Sequence, residues 1–224
     1  MSNLQENISF HIPEPTLGRL PWYLAYAQLI KKEGGQYLSS TQIAKNIAID
    51  PSKVAKDLSY VNISGKTRVG YDVEELISVL ERFLGFTNSN KAFIFGVGSL
   101  GGALLQDNGL QQFGLEIVAG FDVKHELSGT RINHIPIHHI SRFKELRKKI
   151  GTEIGILTVP IDKAQHVCDI MVEGGIKAIW NFTPYRIKVP KNIVVQNTSI
   201  YSHLAVMFNK LNAINELEKQ SKNL

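Results

Sequence analysis

The stretch Lys91 to Gly102, read KAFIFGVGSLGG, constrains this chain more than any other. Ala92 to Phe95 is a short apolar run, aromatic and β-branched, that stops abruptly at glycine. That is the pattern of a buried parallel strand about to turn into a helix. The glycines fall as Gly96-x-Gly98-x-x-Gly101, and Ala103, Leu104 and Leu105 continue as an apolar helical face. Gly96 permits the tight turn, Gly98 leaves room for a pyrophosphate against the backbone, and Gly101 lets helix pack closely on strand. The backbone of Val97, Ser99 and Leu100 completes a loop whose amides and helix dipole face an anion.

The context carries this reading further than the glycines alone. A second apolar strand, Leu115 to Phe121, ends in Asp122 and Val123, about twenty residues past the last glycine, where an acid grips an adenosine ribose. An acid there repels a 2′-phosphate, so NAD(H) is expected over NADP(H); Lys124 follows the acid without replacing it. Further strands are expected at Ile154 to Val159, at Lys177 to Phe182 and at Ile193 to Gln196, with helices at Ile140 to Ile150 and Asp162 to Glu173. Strands alternating with helices give a doubly wound, mostly parallel α/β sheet. Dinucleotides lie at the carboxyl edge of such a sheet, so Thr158, Val159, Pro160, Asn181 and Phe182 join the candidate cofactor contacts.

The part before the glycine loop is patterned differently. Pro15 to Lys32 reads as a helix, with Leu17, Leu20, Leu24, Ala27 and Ile30 at three- and four-residue steps. Ser39-x-x-Gln42 fits a capping box for a second helix, Thr41 to Ala48. Asp50-Pro51 starts a third, to about Tyr60. Two short helices so closely joined form a helix-turn-helix, whose second helix enters the major groove of double-stranded DNA by its N-terminal part. Ser52, Lys53 and Lys56 are its candidate contacts. Val61 to Tyr71 alternates and turns at Ser64-Gly65, which predicts a β-hairpin wing carrying Lys66 and Arg68. Val73 to Leu84 reads as a fourth helix, and Thr87 to Asn90 as the boundary.

Charge is compatible with a nucleic-acid partner without requiring one. The 224 residues carry a formal charge of +5. Residues 1–86 hold nine basic and nine acidic side chains, but Lys45 to Arg68 holds five basic against two acidic. No apolar run approaches the roughly twenty residues that cross a bilayer, and the first residues lack the pattern of a secretory signal, so a cytoplasmic protein is expected. Cys168 is the one cysteine and reads as a buried apolar residue. His134, His138 and His139 lack acidic companions and helical spacing, so no metal site is expected there.

The last helix, about Ile200 to Lys219, carries Leu204, Met207, Phe208, Leu211, Ile214 and Leu217 along one stripe. A stripe this long suits a second subunit, and helix-turn-helix proteins usually pair to read two half-sites. Asp107 after the glycine loop, with Ser199 and Tyr201 where the last helix starts, are the candidates for sensing the nicotinamide ring.

Several segments resemble a known family. They are Lys56-Asp57-Leu58-Ser59-Tyr60, Gly65-Lys66-Thr67-Arg68-Val69-Gly70-Tyr71, Arg19-Leu20, the glycine loop, Thr158-Val159-Pro160 and Asn181-Phe182-x-Pro184. From Pro15 to about Leu211 the chain resembles the Rex-type redox-sensing transcriptional repressors. The resemblance implies an N-terminal winged helix-turn-helix domain over residues 1–87 and a Rossmann-type domain over 88–198. It also implies a C-terminal helix over 199–224 exchanged within a homodimer. It adds Ser59 and Tyr60 to the DNA contacts and Arg19 to the coupling residues. It implies binding of an inverted-repeat operator, released by NADH rather than NAD⁺. Three positions depart from the family: Ala55 and Ser99 stand where arginine is usual, and Ser199 where an aspartate pairs with the arginine at Arg19.

Two other classes compete. A small NAD-dependent oxidoreductase needs a proton donor or acceptor beside the nicotinamide, and no Ser-Tyr-Lys or His–Asp arrangement stands out. A nucleotide-binding adaptor with a protein-binding N-terminus does not account for the Lys56-to-Tyr71 stretch. A DNA-binding NAD(H) sensor, not an enzyme, is the expectation.

Overall fold

The structure, a computed structural model, describes residues 12–222. The first residues, read above for a leader, lie largely outside the described residues. The chain divides between Asn88 and Ser89 into two compact units.

Among the described residues, the first unit is four helices and a two-stranded sheet. Helix α1 spans Glu14–Lys32, strand β1 Tyr37–Leu38, α2 Ser40–Asn46, α3 Pro51–Ser59, β2 Tyr71–Asp72 and α4 Val73–Phe83. The capping box holds: Ser39 Oγ accepts the Gln42 amide at 3.1 Å while Gln42 Oε1 accepts the Ser39 amide at 2.9 Å. Ala48 adopts a left-handed φ of 54°, and the Ile49 amide donates to Ala44 O, so α2 stops short of the expected Ala48. Asp50 caps α3, accepting the Ser52 amide at 2.7 Å. Leu20, Tyr23, Leu24, Val54, Leu58, Leu76 and Leu80 meet in one core.

The expected hairpin over Val61 to Tyr71 is a correction. Val61 and Ile63 are buried in the helical core rather than alternating in a ribbon. The chain turns at Thr67-Arg68 instead of Ser64-Gly65, closed by paired bonds between Lys66 and Gly70. Tyr71–Asp72 then pairs antiparallel with Tyr37–Leu38. Gly70, at φ +104°, makes this possible, because a Cβ there would stand 2.7 Å from Leu38 O.

The second unit is a seven-stranded sheet flanked by helices. It comprises β3 Asn90–Phe95, α5 Ser99–Gln106, α6 Gly109–Gln112, β4 Leu115–Asp122, β5 Arg131–Ile132 and β6 Ile135–His139. Helix α7 Phe143–Ile150, β7 Ile154–Leu157, α8 Ala164–Glu173, β8 Ala178–Asn181, β9 Val194–Asn197 and α9 Ile200–Lys222 follow. The strand order is β5-β6-β4-β3-β7-β8-β9, parallel except for β5. The order in which successive strands are added reverses between β3 and β7, which are parallel neighbours, and ligands of doubly wound sheets bind at that crevice. Phe93 and Phe95 point to one face, with Phe121 and Phe143, and Ala92 and Ile94 to the other, which is why the run is apolar without alternation. The chain between β4 and α7 forms the β5–β6 hairpin, whose Asn133 and His134 both take positive φ. Cys168 is buried, and that burial pushes its thiol up to about 11. No described helix is long and apolar enough to cross a membrane.

Candidate functional site

The glycine turn has the sterics its sequence predicts. Gly96 sits at φ +95°, and a Cβ there would lie 2.8 Å from both Thr158 O and Val159 Cγ1. A Cβ on Gly101 would collide with Gly96 O. Thr158 Oγ1 donates to that same oxygen at 2.7 Å, tying the ends of β3 and β7. Gly98 is different: nothing lies within 4 Å of its Cβ position, and it opens α5 as N-cap residue. The first-turn amides of an eight-residue helix thus begin at an uncrowded backbone, the arrangement that receives phosphate.

Two cavities meet over this turn. One, of about 580 Å³, is lined by Gly96, Gly98, Ser99, Asp122, Val123 and the Thr158-to-Pro160 segment. The other, about 360 Å³, shares Thr158, Val159 and Pro160 and adds Leu100, Phe182, Ile200 and Tyr201. Asp122 and the helix α9 start therefore stand on opposite sides of the β7 edge, as the adenosine and nicotinamide ends of a dinucleotide would require. Lys124, Lys163 and His166 also line the first cavity. Sequence reasoning noted Lys124 only in passing and missed the other two, which occupy the start of the helical segment after the Thr158-Val159-Pro160 loop.

Three candidates are placed otherwise than expected. The side chain of Val97 is buried in the sheet core, and its amide donates to Asp122 Oδ2 at 2.7 Å, so it shapes the loop rather than facing a ligand. Asn181 is buried with its amide fully engaged. Its Oδ1 accepts the Thr183 amide and hydroxyl, and its Nδ2 donates to Tyr185 O and Asn197 Oδ1. It fixes the loop that carries Phe182, and nothing of the side chain is left for a cofactor. Asp107 caps the far end of α5, about 12 Å from Ser99 by helical rise, accepts the Gly109 amide at 3.0 Å, and lines a separate cavity with Asn108 and Asn133. Ser199 accepts the Ser202 amide at 3.2 Å, which opens α9.

In the first unit Ser52, Lys53 and Lys56 are exposed along α3 while Val54 and Leu58 face the core. Ser59 Oγ donates back to Lys56 O at 2.6 Å, and Tyr60 is half-buried at the helix end. Lys66 stands 5.3 Å from the Tyr37 ring centroid, and Arg68 holds the turn tip at a left-handed φ of 62°. Arg19 forms a fork with Asp57, Nε to Oδ2 at 2.7 Å and Nη2 to Oδ1 at 2.8 Å. Thr16 and Tyr23 hydroxyls donate to the same carboxylate, at 2.9 and 2.6 Å. Burial would raise the Asp57 pKa, but these bonds outweigh it and hold the carboxyl below its ordinary value. The hydrogen bond to Asp57 raises Arg19, and burial raises Tyr23. Sequence reasoning quoted Asp57 but gave it no role.

A helix-turn-helix with exposed cations, in one chain with a glycine-loop cleft on a doubly wound sheet, defines the class of ligand-responsive DNA-binding regulators. Residues 87–185 match the family described as CoA binding domain, and residues 11–59 that described as Putative DNA-binding protein N-terminus. The Redox-sensing transcriptional repressor Rex of Bacteroides fragilis is 64% identical over 217 residues, covering 97% of this chain and 98% of that one. The Treponema denticola protein of the same name is 39% identical, covering 87% and 94%. Among solved structures, RSP in complex with β-NAD⁺ and operator DNA superposes with a TM-score of 0.86 at 28% identity, covering 94% of this chain and 97% of that chain. RSP in complex with β-NADH gives 0.84 at 29%, covering 93% and 98%. The chain belongs to the Rex family of redox-sensing transcriptional repressors.

Proposed function

We propose that this chain binds an inverted-repeat operator as a homodimer and is released from it when NADH occupies the cleft. The observation that carries this is the pairing, in one chain, of an exposed cationic α3 with a cleft whose two cavities meet at Thr158 to Pro160. NAD(H) fits the cleft by chemistry: an open Gly98 for the pyrophosphate, Asp122 for the adenosine ribose, and Phe182 and Tyr201 for the ring. Gly96, Ser99, Leu100, Gly101, Val123 and Thr158 to Pro160 complete the contacts. On the DNA side, Ser52, Lys53, Lys56, Ser59 and Tyr60 meet the major groove, and Lys66 and Arg68 the adjoining backbone or minor groove.

Helix α9 supports the dimer. Leu204, Met207, Phe208, Leu211, Ile214 and Leu217 are between 37% and 66% exposed, an apolar stripe that a second copy would cover by exchange of the helix. Residues 1–87 would then serve DNA, 88–198 the dinucleotide and 199–224 the partner. This is binding without turnover, as in repressors, and it belongs in the cytoplasm, where operator DNA and the NADH pool meet. A gel-shift assay on palindromic promoter DNA tests it. Retardation without cofactor, lost on adding NADH and kept with NAD⁺, is the expected result; no retardation of any palindromic promoter contradicts it.

A further inference from the structure

We propose that Asp57 is the positioning residue of the recognition helix, fixing the roll of α3 about its own axis by pinning it to Thr16, Arg19 and Tyr23 of α1. The inference rests on the DNA-binding reading above and adds a determinant of specificity to it.

Helix α3 has nine residues, and two of them, Val54 and Leu58, enter the core one turn apart on the same line. Two anchors on one line hold a cylinder down but do not stop it from rolling. Asp57 lies off that line, one turn past Lys53, and it is the remaining buried residue of the helix. Asp57 is 2% exposed, and its carboxylate receives four hydrogen bonds, two on each oxygen, all from the one facing helix. Apolar contacts have no direction, whereas a forked guanidinium and two hydroxyls fix both distance and angle.

The consequence falls on base reading. A side-chain tip about 6 Å from a helix axis moves about 2 Å for a roll of about 20°. That is enough to break a hydrogen bond to a base edge but not the attraction of a lysine for phosphate. Asp57 forms its ion pair with Arg19 of α1 rather than with Lys53, although Lys53 and Asp57 stand four residues apart on α3.

The test uses the full chain with Tyr23→Phe, Thr16→Val, Arg19→Lys and Asp57→Asn. Operator and random-sequence duplexes are titrated at one salt concentration, alongside thermal unfolding and NADH titration. Tyr23→Phe and Arg19→Lys remove a donor or the fork with little change of volume, so they remain informative where Asp57→Asn fails to fold. The expected result is a loss of about tenfold or more in operator affinity, with random-DNA affinity within about twofold of wild type and NADH affinity unchanged. Operator and random affinities falling in parallel, or a specificity ratio equal to wild type in every folded variant, overturns the proposal. A wild-type chain that prefers no operator overturns the functional reading itself, and this inference with it.

Discussion

Asp122 Oδ2 accepts the Val97 amide at 2.7 Å, joining the acid at the end of β4 to the glycine loop at the end of β3. Its other oxygen accepts the Lys124 amide at 3.0 Å. The carboxylate is thus oriented before any ligand arrives, with its remaining lone pairs available to ribose hydroxyls. NADH should bind at least about tenfold more tightly than NADPH, since a 2′-phosphate would meet this anion at close range. Asp122→Ala should narrow that gap. Calorimetry giving the two cofactors equal affinity for wild type would remove the claim.

The glycines separate folding from binding. Gly101→Ala drives a methyl into Gly96 O and should cost about 1–3 kcal/mol of stability as well as cofactor affinity. Gly98→Ala meets open space at an ordinary φ of −78°, so the free protein should melt as wild type does. A dinucleotide pyrophosphate needs that space, and affinity should fall about tenfold or more. Thermal melts and NADH titrations of the two variants check this directly.

The DNA surface divides by role. Alanine at a phosphate-contacting Lys53, Lys56 or Lys66 should weaken binding to every sequence and lower the salt slope by about one unit. Arg68 adds a second signature, because its left-handed φ of 62° is strained for a branched Cα. Arg68→Gly should raise stability by up to about 1 kcal/mol while still losing DNA affinity. Alanine variants of Lys53, Lys56, Lys66 and Arg68 that all bind as wild type would place the recognition surface elsewhere.

Acid should loosen the first unit through Asp57. Its folded pKa lies below the ordinary carboxylate value, so the stabilisation is complete above the unfolded pKa near 4 and is lost as pH falls through the folded one. The charged or titratable groups bonded to it are Arg19, always protonated, and Tyr23. Tyr23 is raised, so its contribution is present below about pH 10 and declines as pH rises from there. Chemical unfolding between pH 2 and 6 should show a steeper loss in wild type than in Asp57→Asn.

What was legible in the sequence was local. The glycine loop, the Ser39 capping box, the Asp50 cap and the apolar run of β3 each declare themselves within a few residues. What escaped was decided by distant partners. Tyr71 pairs with Leu38 rather than within its own hairpin, and Asp57 finds donors more than thirty positions away. Asn181 reads as a cofactor contact by its place at a strand end, yet Thr183, Tyr185 and Asn197 take its amide. Asp107 was assigned by nearness in sequence to the loop, but eight residues of helix carry it to the other end.

Operator DNA and NADH are expected to bind this one chain at one another's expense. A ligand shifts an equilibrium only through its differential affinity for the two states, and the shift is reciprocal. Ser199 opens α9 by accepting the Ser202 amide, and Arg19 is engaged by Asp57, so the coupling is expected to run through repacking of α9 rather than through an Arg19 ion pair. Titrating NADH into the protein with and without saturating operator measures this most directly. NADH should bind more weakly in the presence of operator, by the same factor with which NADH weakens operator binding. Identical NADH affinities in the two titrations would contradict it.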